Sequence, residues 1–391
     1  MRDEPGRSLP DGLRFTRVTA KNWKNFVGLD VPLEPRTFVV GANASGKSNF
    51  LDAFRFLHDL VAVGGGFQAA IALRHGISAI RSLAARRDPE VMLSAVLGDD
   101  HDGVRWRYEV RFKQGKAPII TMEAAWRGTQ QIFVRPDDRD NADPERLTET
   151  YLEQTSLNHD YRTIASAFES VRYLHIVPQL VREPERSFGR KSDPFGGDFL
   201  EAIARTSKRD RESRLAYIAK ALTSALPQMG ELTMEPDVRG VWHLRAKYKH
   251  WRPPGAWHDE DQFSDGTLRL IGLLWAMLDG TGPLLLEEPE LSLHSAVVRE
   301  LPQMIARMQS RRHRQVLLST HSLEILGDAG IVANEVLIVE PSSEGSRALS
   351  AADDASVLAM LDAGESLATA VTPLTAPPDV ADLPLFANRR R

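Results

Sequence analysis

Hydrophobic and polar residues follow two periodicities along the first third of the chain. The segments LRFTRVTAKNW and FVGLDVPL alternate between apolar and polar positions, and RTFVV is a continuous apolar run, so three strands are predicted between residues 13 and 40. After residue 47 the apolar side chains recur every three or four positions, which predicts an amphipathic helix that is broken by the glycines at 64–66. Alternating segments predict further strands at 91–97, 104–112, 117–126 and 130–134.

The remainder of the chain is patterned differently. Residues 136–160 are polar with little periodicity, which indicates a surface excursion, and residues 161–230 are predicted to be mostly helical around the short strand RYLHIV. A strand pair is predicted at 231–249. From residue 263 onwards, predicted helices (268–279, 294–309, 322–327) alternate with predicted strands (284–287, 315–319, 335–339). This alternation is typical of a parallel sheet flanked by helices.

Composition narrows the class of protein. With 49 basic and 53 acidic residues the net charge is −4, which argues against a globally basic nucleic-acid protein but leaves a local basic groove open. The absence of cysteine excludes disulfides, cysteine-ligated metals and thiol catalysis. The first ten residues lack an apolar signal segment, and the most apolar run, 270–278, is too short to span a membrane. We therefore expect a cytoplasmic protein without a membrane partner.

A phosphate-binding loop is predicted where the third apolar strand meets the amphipathic helix. The stretch GANASGKSN contains the pattern G-x-x-x-x-G-K-[ST], in the strand–loop–helix context that this pattern requires. Its lysine reaches the β- and γ-phosphates and its serine ligates Mg²⁺. The alternative is a glycine turn that caps a helix. The candidate nucleotide-binding residues are Gly41, Asn43, Ser45, Gly46, Lys47, Ser48 and Asn49.

Two more candidate residues follow the apolar strand in GPLLLEEPELSLH. Glu287 and Glu288 end this strand, and ligands bind at the carboxyl ends of strands in open α/β sheets. We assign Glu287 to the metal, together with Ser48, and Glu288 to the general base that polarises the attacking water. The alternative is a pair of solvated glutamates.

His321 ends the next apolar strand, QVLLSTHS. A lone histidine is usually structural. Because this one is predicted to lie at the same sheet edge, a neutral imidazole there can hydrogen-bond the γ-phosphate and position the water. We therefore count His321 with Glu288 and Lys47 as catalytic candidates.

The segment FSDGT, residues 263–267, opens a predicted helix. Ser264 and Gly266, with the exposed N–H groups of the helix start, are predicted to form an anion site. The alternative is a serine N-cap without a ligand. Because this motif stands about one helix before the two glutamates, we expect it to serve the phosphate loop of a second copy, with ATP between the two.

The ordered set GANASGKSN, FSDGT, LLLEEPELSLH and STHS resembles the ABC/SMC-type branch of AAA-family ATPases, and specifically the stand-alone ATPases similar to the overcoming-lysogenization-defect (OLD) family. The opening VTAKNWKNF is also similar to the start of that family. The resemblance implies an α/β fold: an ABC-type P-loop ATPase head with an N-terminal antiparallel β subdomain, a central parallel sheet flanked by helices and an inserted, mostly helical arm.

Three residues depart from the transporter or SMC pattern in a way familiar in OLD-like ATPases. The signature motif of the family corresponds to FSDGT here, and Asp265 is its acidic residue. Glu287 replaces the more common aspartate at the metal position, and His294 takes the place of the D-loop aspartate. The Q-loop glutamine is left open between Gln68, Gln114 and Gln179.

The resemblance also implies a domain division. The ATPase head comprises 1–135 and 251–345, the inserted arm or lid 136–250, and a Pro-rich, loose C-terminal tail 346–391. OLD-family nucleases carry a Toprim domain whose acidic residues hold metal. Asp353 and Asp354 precede a helix-like run instead of ending a strand, so we expect no Toprim domain.

The implied function is an ATP-hydrolysing switch with ATP and Mg²⁺ as cofactors. It would form a homodimer around ATP and control a separately encoded effector, a nuclease or toxin, in bacterial anti-phage or genome defence. The alternative is a DNA-repair or recombination scaffold that binds duplex DNA across the dimer, with basic clusters at 182–190, 208–214 and 245–252 as the candidate contacts.

Overall fold

The computed structural model describes residues 12–99, 103–154, 156, 159–183, 193, 195–249 and 256–376. Within these residues the strands are β1 (Arg14–Trp23), β2 (Phe26–Pro32), β3 (Arg36–Val40), β4 (Val91–Asp99), β5 (Gly103–Gln114), β6 (Pro118–Arg127), β7 (Gln130–Arg135), β8 (Arg172–Leu174), β9 (Met229–Pro236), β10 (Trp242–Tyr248), β11 (Ala256–Asp259), β12 (Leu284–Glu287), β13 (Val316–Thr320), β14 (Val336–Ser342) and β15 (Gly345–Ser350). The helices are α1 (Lys47–Val61), α2 (Phe67–Ala72), α3 (Ile77–Ile80), α4 (Asp138–Ala142), α5 (Arg162–Glu169), α6 (Pro178–Arg182), α7 (Phe199–Arg205), α8 (Lys208–Ala225), α9 (Asp265–Leu278), α10 (Ser295–Arg312), α11 (Leu323–Leu326), α12 (Ala355–Asp362) and α13 (Leu367–Thr375).

The chain divides into two compact units. The P-loop unit comprises Met1–Arg172, Thr281–Leu285 and Ala306–Arg391, and the signature unit comprises Tyr173–Gly280 and Leu286–Ile305. No helix among the described residues is both long and apolar enough to cross a membrane.

A six-stranded sheet in the order β15-β14-β3-β13-β12-β8 carries the phosphate loop. Strands β3 and β13 pair in parallel, with Thr320 opposite Val40, and β14 pairs in parallel with the other edge of β3. Every residue of β3 and β13 is buried, as expected for parallel strands covered on both faces. The apolar runs in the sequence therefore predicted these two strands to within one residue.

A second six-stranded sheet, β2-β1-β4-β5-β6-β7, forms the antiparallel part of the P-loop unit. Its alternating sequence places one face on the core, where Phe15 of β1 packs edge-on against Phe54 of α1 with ring centroids 5.0 Å apart. Phe15 also stacks on Phe168 of α5 at 5.8 Å. The helix that follows the phosphate loop is thus anchored to this sheet by buried aromatic rings.

The polar segment after β7 is not a loose surface excursion. Arg135 and Glu123 are both fully buried and form a 3.2 Å ion pair, and Arg135 also pairs with Asp140 at 2.7 Å. The N–H of Tyr151 donates to Glu123 as well, at 2.9 Å. Because buried charges must be paired and hydrogen-bonded, this polar sequence encodes an internal network. Its lack of periodicity concealed that role.

The signature unit has a core of its own. The sheet β11-β10-β9 packs against α8 and α9 through buried apolar side chains, among them Leu244, Leu222 and Ile271. Gly272 of α9 allows a close approach, since a Cβ there would lie 1.7 Å from Cδ1 of Ile176. Strands β9 and β10 are the strand pair predicted at 231–249.

The segment predicted as a tail from residue 346 is ordered as far as residue 376. It completes β15 and then forms the helices α12 and α13. Asp354 caps α12 by accepting from the N–H groups of Ser356 and Val357. Val357 and Val371 are fully buried, which is why this part of the chain folds onto the P-loop unit. Residues 377–391 lie outside the described part.

Candidate nucleotide-binding site

Two glycines give the phosphate loop its backbone path. Gly46 caps α1 with a φ of 113°, and a Cβ there would lie 2.0 Å from Nδ2 of Asn25. A Cβ on Gly41 would lie 2.2 Å from the carbonyl oxygen of Val339 in β14. Glycine at these two positions lets the loop pack closely against β14 and the Asn25 side chain.

Lys47 is turned into this loop. Its buried Nζ donates to the carbonyl oxygens of Gly41 and Ala42, each at 3.0 Å, and lies 3.2 Å from Nδ1 of His321. An ammonium group only donates, so Nδ1 of His321 accepts and Nε2 carries the imidazole proton. Two residues that the sequence places 274 positions apart therefore meet at the carboxyl ends of β3 and β13.

The other loop residues differ in exposure. Asn43 and Ser48 are exposed, whereas Ser45 is fully buried and its Oγ has no hydrogen-bond partner among the described residues. Asn49 directs its side-chain Nδ2 to Oδ1 of Asn25 at 2.8 Å. The assignment of Asn49 to the nucleotide therefore remains a prediction, and the contact that the structure gives it is with Asn25.

The two glutamates lie at the end of β12, within the signature unit. The Tyr173 hydroxyl donates to Oε2 of Glu287, and Nδ1 of His175 lies 3.3 Å from the Glu287 carbonyl oxygen. Glu288 adopts a left-handed backbone with φ 45°, which is uncommon for a residue with a side chain. Sequence reasoning did not identify Tyr173, and no motif marks it.

Ser264 is exposed at the start of α9. Its Oγ accepts from the N–H of Thr267 at 3.2 Å and lies 2.8 Å from Oγ1 of the same residue. Asp265 pairs with Arg182 at 2.7 Å, so the unusual signature acid is neutralised within the unit. Position 266 has room only for glycine, because a Cβ there would lie 2.4 Å from the carbonyl oxygen of Ser292.

One further charge on α9 was not predicted. Burial lowers the pKa of Arg269, while the negative charges of Asp265, Glu288 and Glu290 oppose that shift. The start of α9 thus interacts electrostatically with the acidic side chains of the segment that follows β12. His294, in the same segment, accepts from the N–H of Ala296 at 3.1 Å at the start of α10.

The Q-loop candidates have different environments. Gln68 donates to the carbonyl oxygens of Pro118 and Thr148, both at 2.9 Å, which is a structural role within the P-loop unit. Gln114 is exposed and donates to the adjacent carbonyl of Gly115, and Gln179 is exposed on α6. None of these contacts assigns the Q-loop.

The basic clusters suggested for DNA are largely engaged in internal contacts where the structure describes them. Arg182 pairs with Asp265, Arg211 donates to the carbonyl oxygen of Ala204, Arg214 pairs with Asp279, and Arg245 pairs with both Glu235 and Asp259. Residues 184–190 and 250–252 of these clusters lie outside the described part. A guanidinium that already has a carboxylate partner gains less from a phosphate.

The residues present fit ATP and Mg²⁺. The loop has the glycines and the strand-to-helix context of a phosphate-binding loop, and the Lys47 ammonium lies against its carbonyl groups. Ser48 in the P-loop unit offers a hydroxyl oxygen, and Glu287 in the signature unit offers a carboxylate. Each is a hard oxygen ligand of the kind that Mg²⁺ prefers, and Mg²⁺ usually takes only one or two protein ligands beside phosphate. Among the described residues, no group of three or more His, Cys, Asp or Glu side chains is placed to hold a metal ion.

Comparison with known proteins places the chain in a family. The family model described as "AAA domain, putative AbiEii toxin, Type IV TA system" matches residues 36–327. Endonuclease GajA of Bacillus cereus (strain VD045) is 35% identical over 66 residues, which is 17% of this chain and 11% of that protein. The chain thus matches only about a tenth of the length of that relative.

Comparison with solved structures bears on the fold. The SMC head bound to the C-winged helix domain of ScpA is 15% identical, with 86% of this chain and 97% of that chain covered at a TM-score of 0.53. An SMC head domain derived from Pyrococcus furiosus, with an extended coiled coil, is 12% identical, with 90% and 100% covered at 0.49. The likeness to the first confirms the predicted fold class. The chain therefore belongs to this AAA-domain family and has the fold of an SMC head, as its motifs predicted.

Proposed function

We propose that this protein binds and hydrolyses ATP with Mg²⁺ and works as a switch that dimerises around the nucleotide. The observation that carries the proposal is the arrangement at the ends of β3 and β13, where the buried Lys47 lies between the loop carbonyls and His321. A buried ammonium inside a glycine loop at a helix start is suited to a polyphosphate.

Each candidate residue has a distinct task in this proposal. The loop N–H groups and Lys47 bind the phosphates, and Ser48 and Glu287 hold Mg²⁺, which neutralises phosphate charge when it is bound. Glu288 takes a proton from the attacking water. His321 donates from Nε2 to the terminal phosphate, since its Nδ1 accepts from Lys47.

The second part of the proposal is a composite site. Ser264 is exposed at the start of α9, and the adjacent N–H groups of a helix start favour an anion. We infer that Ser264 and Gly266 of one copy complete the nucleotide site of another. ATP would then lie at the interface of a homodimer, and hydrolysis would release the two copies.

The third part concerns the output. We infer that the dimer controls a separately encoded effector, a nuclease or toxin, in anti-phage or genome defence within the bacterial cytoplasm. This is supported by the family description, which names a toxin–antitoxin system, and by the short similarity to an endonuclease. Co-purification with the tagged protein would identify the effector.

The test is a measurement of phosphate release and of oligomeric state on the purified protein. With Mg²⁺ and ATP we expect hydrolysis, and with Glu288→Gln we expect a dimer that persists for as long as ATP is present. A protein that neither hydrolyses ATP nor changes its mass with ATP contradicts the switch. Duplex DNA binding that weakens with salt and strengthens with ATP would favour the scaffold alternative.

A further inference from the structure

Asn25 stands at the centre of a hydrogen-bond cluster behind the phosphate loop. Its Nδ2 donates to the carbonyl oxygen of Ser45 and to Oγ of Ser346, both at 2.7 Å, and its Oδ1 accepts from Nδ2 of Asn49 at 2.8 Å. Oγ of Ser346 also donates to the Ser45 carbonyl, at 2.6 Å. The polar atoms of the Asn25 side chain are thus committed to the loop, to the first turn of α1 and to β15.

We propose that Asn25 and Ser346 form a clasp that positions the phosphate loop for nucleotide binding, an inference that rests on the proposed ATP site. Neither residue belongs to the phosphate-binding pattern itself. Both are positioning residues that act through the peptide group between Ser45 and Gly46. Ser346 lies 321 positions from Asn25, so the C-terminal hairpin β14–β15 takes part in shaping a loop near the N-terminus.

The geometry of the peptide bond explains how the clasp acts. A trans peptide is planar, and its C=O and N–H point in opposite directions. Two donors fix the Ser45 carbonyl towards the clasp, so the N–H of Gly46 is turned the other way, away from Asn25. In a phosphate loop the backbone N–H groups bind the phosphate oxygens. The clasp therefore holds one of these donors in its binding orientation before any ligand arrives.

Steric fit shows that the cluster is specific. The left-handed Gly46 leaves room for Nδ2 of Asn25, as described above. Gly345 leaves room for the main-chain carbonyl oxygen of the same residue. Gly345 has a φ of 103°, and a Cβ there would lie 2.5 Å from the carbonyl oxygen of Asn25. That same oxygen accepts from the N–H of Ser346 at 2.7 Å. Glycines on both sides let the main chain and side chain of Asn25 fit between β15 and the loop.

The test is Asn25→Asp, which keeps the shape but replaces the Nδ2 donor by a carboxylate oxygen facing the Ser45 carbonyl. Its matched control is Asn22→Asp. Asn22 also donates from Nδ2 to a carbonyl oxygen, that of Glu90 at 2.8 Å, and has a left-handed backbone, but it is not bonded to the phosphate loop. Ser346→Ala removes one of the two donors to Ser45, with Ser350→Ala as its control, since Ser350 caps a turn in the same strand.

Affinities for Mg-ATP and for inorganic pyrophosphate would be measured by calorimetry, alongside the melting temperature without ligand. We expect Asn25→Asp to weaken both affinities about tenfold and Ser346→Ala about threefold, because each loses hydrogen bonds that orient the loop. Asn22→Asp and Ser350→Ala should lower the melting temperature without changing either affinity.

The outcomes separate the clasp from the proposed function. If the unmodified protein binds no ATP, the ATP site itself is wrong. If it binds ATP and a folded Asn25→Asp or Ser346→Ala variant binds equally well, the clasp is overturned while the ATP site stands. If the Asn22→Asp control lost as much affinity as Asn25→Asp, the affinity would simply follow the stability of the fold, and the positioning role would likewise be refuted.

Discussion

The two compact units hold their candidate site residues in opposite ways. In the P-loop unit, Lys47 is buried against two carbonyl groups, and the Ser45 carbonyl is fixed by two donors. In the signature unit, Glu288 occupies a left-handed backbone position and Ser264 is exposed, with its hydroxyl bonded only within its own helix turn. Lys47 and Ser45 are thus buried in their unit, whereas Glu288 and Ser264 are presented by a turn and a helix end.

From this contrast we expect substitutions in the two units to change different properties of the protein. The left-handed backbone does not itself distinguish the units, since Ala44 of the phosphate loop adopts it as well, with a φ of 61°; the difference lies in burial and hydrogen bonding. Ligand affinity should therefore depend on the P-loop unit, whose contacts are preformed. Turnover and assembly should depend on the signature unit, where small rearrangements move a carboxylate or an exposed serine.

The largest expected effect is on turnover, through Glu288→Gln. The amide keeps the shape but cannot take a proton, so we expect kcat to fall about a thousandfold while the affinity for ATP is retained. Phosphate release and equilibrium binding would be measured on the same preparation. Glu287→Gln is the comparison: it should raise the Mg²⁺ concentration required for activity. Normal turnover by Glu288→Gln would show that another group is the base.

Lys47→Ala tests whether ATP affinity depends on the preformed contacts of the P-loop unit. Loss of a charge-assisted contact to phosphate should weaken ATP binding roughly a hundredfold. Lys21→Ala is the control, since Lys21 forms a half-exposed ion pair with Asp88 at 2.7 Å in the same unit. Fluorescent-nucleotide titration measures both. Equal affinities for the two variants would mean that the loop does not hold the phosphates.

The contrast also explains how much of the site was predictable from sequence. The order of motifs and the apolar strands that precede them placed Glu287 and His321 at strand ends and Lys47 at the start of the helix after the loop, because buried parallel strands produce continuous apolar runs. The family resemblance then supplied the fold class. Local patterns were sufficient wherever a residue's role follows from its own element.

Contacts between distant segments were not predictable in this way. Asn25 meets Ser346 across 321 positions, and the Tyr173 hydroxyl reaches Glu287 across 114. The segment 136–160 was taken for a surface excursion, although its Asp140 pairs with the buried Arg135, because periodicity does not distinguish paired buried charges from solvated ones. Side-chain pairing of this kind is set by tertiary packing, which a single sequence does not display.

Ser264→Arg tests whether the exposed helix start meets a second copy. A bulky cation at an interface should weaken ATP-dependent dimerisation more than about tenfold, and binding of ATP by the monomer should be unchanged. Ser207→Arg is the matched control: Ser207 is an exposed N-cap too, accepting from the N–H of Asp210 at the start of α8. Both variants lose a cap worth about 1 kcal/mol. Sedimentation with and without ATP separates them, and equal dimerisation would refute the trans-acting serine.

The smallest expected effect is a pair of opposite pH dependences of stability. In the P-loop unit, burial lowers the pKa of His58 below its ordinary value of 6.5; the charges of Asp59 and Glu169 oppose this shift, and Arg172 adds to it. In the signature unit, burial alone would lower the pKa of His243, but its 2.8 Å contact with Glu260 and the nearby acids raise it overall.

The signs follow from proton linkage. For His58 the unfolded chain binds the extra proton, so its contribution to the free energy of unfolding is lost as the pH falls below 6.5. For His243 the folded chain binds it, so the contribution is complete below 6.5 and is lost as the pH rises through the raised pKa. Urea unfolding of the wild type, His58→Asn and His243→Asn at about pH 5.5 and about pH 8 measures both. The stability advantage of the wild type over His58→Asn should increase with pH and that over His243→Asn should decrease; slopes of the same sign would mean that the two histidines do not report opposite environments.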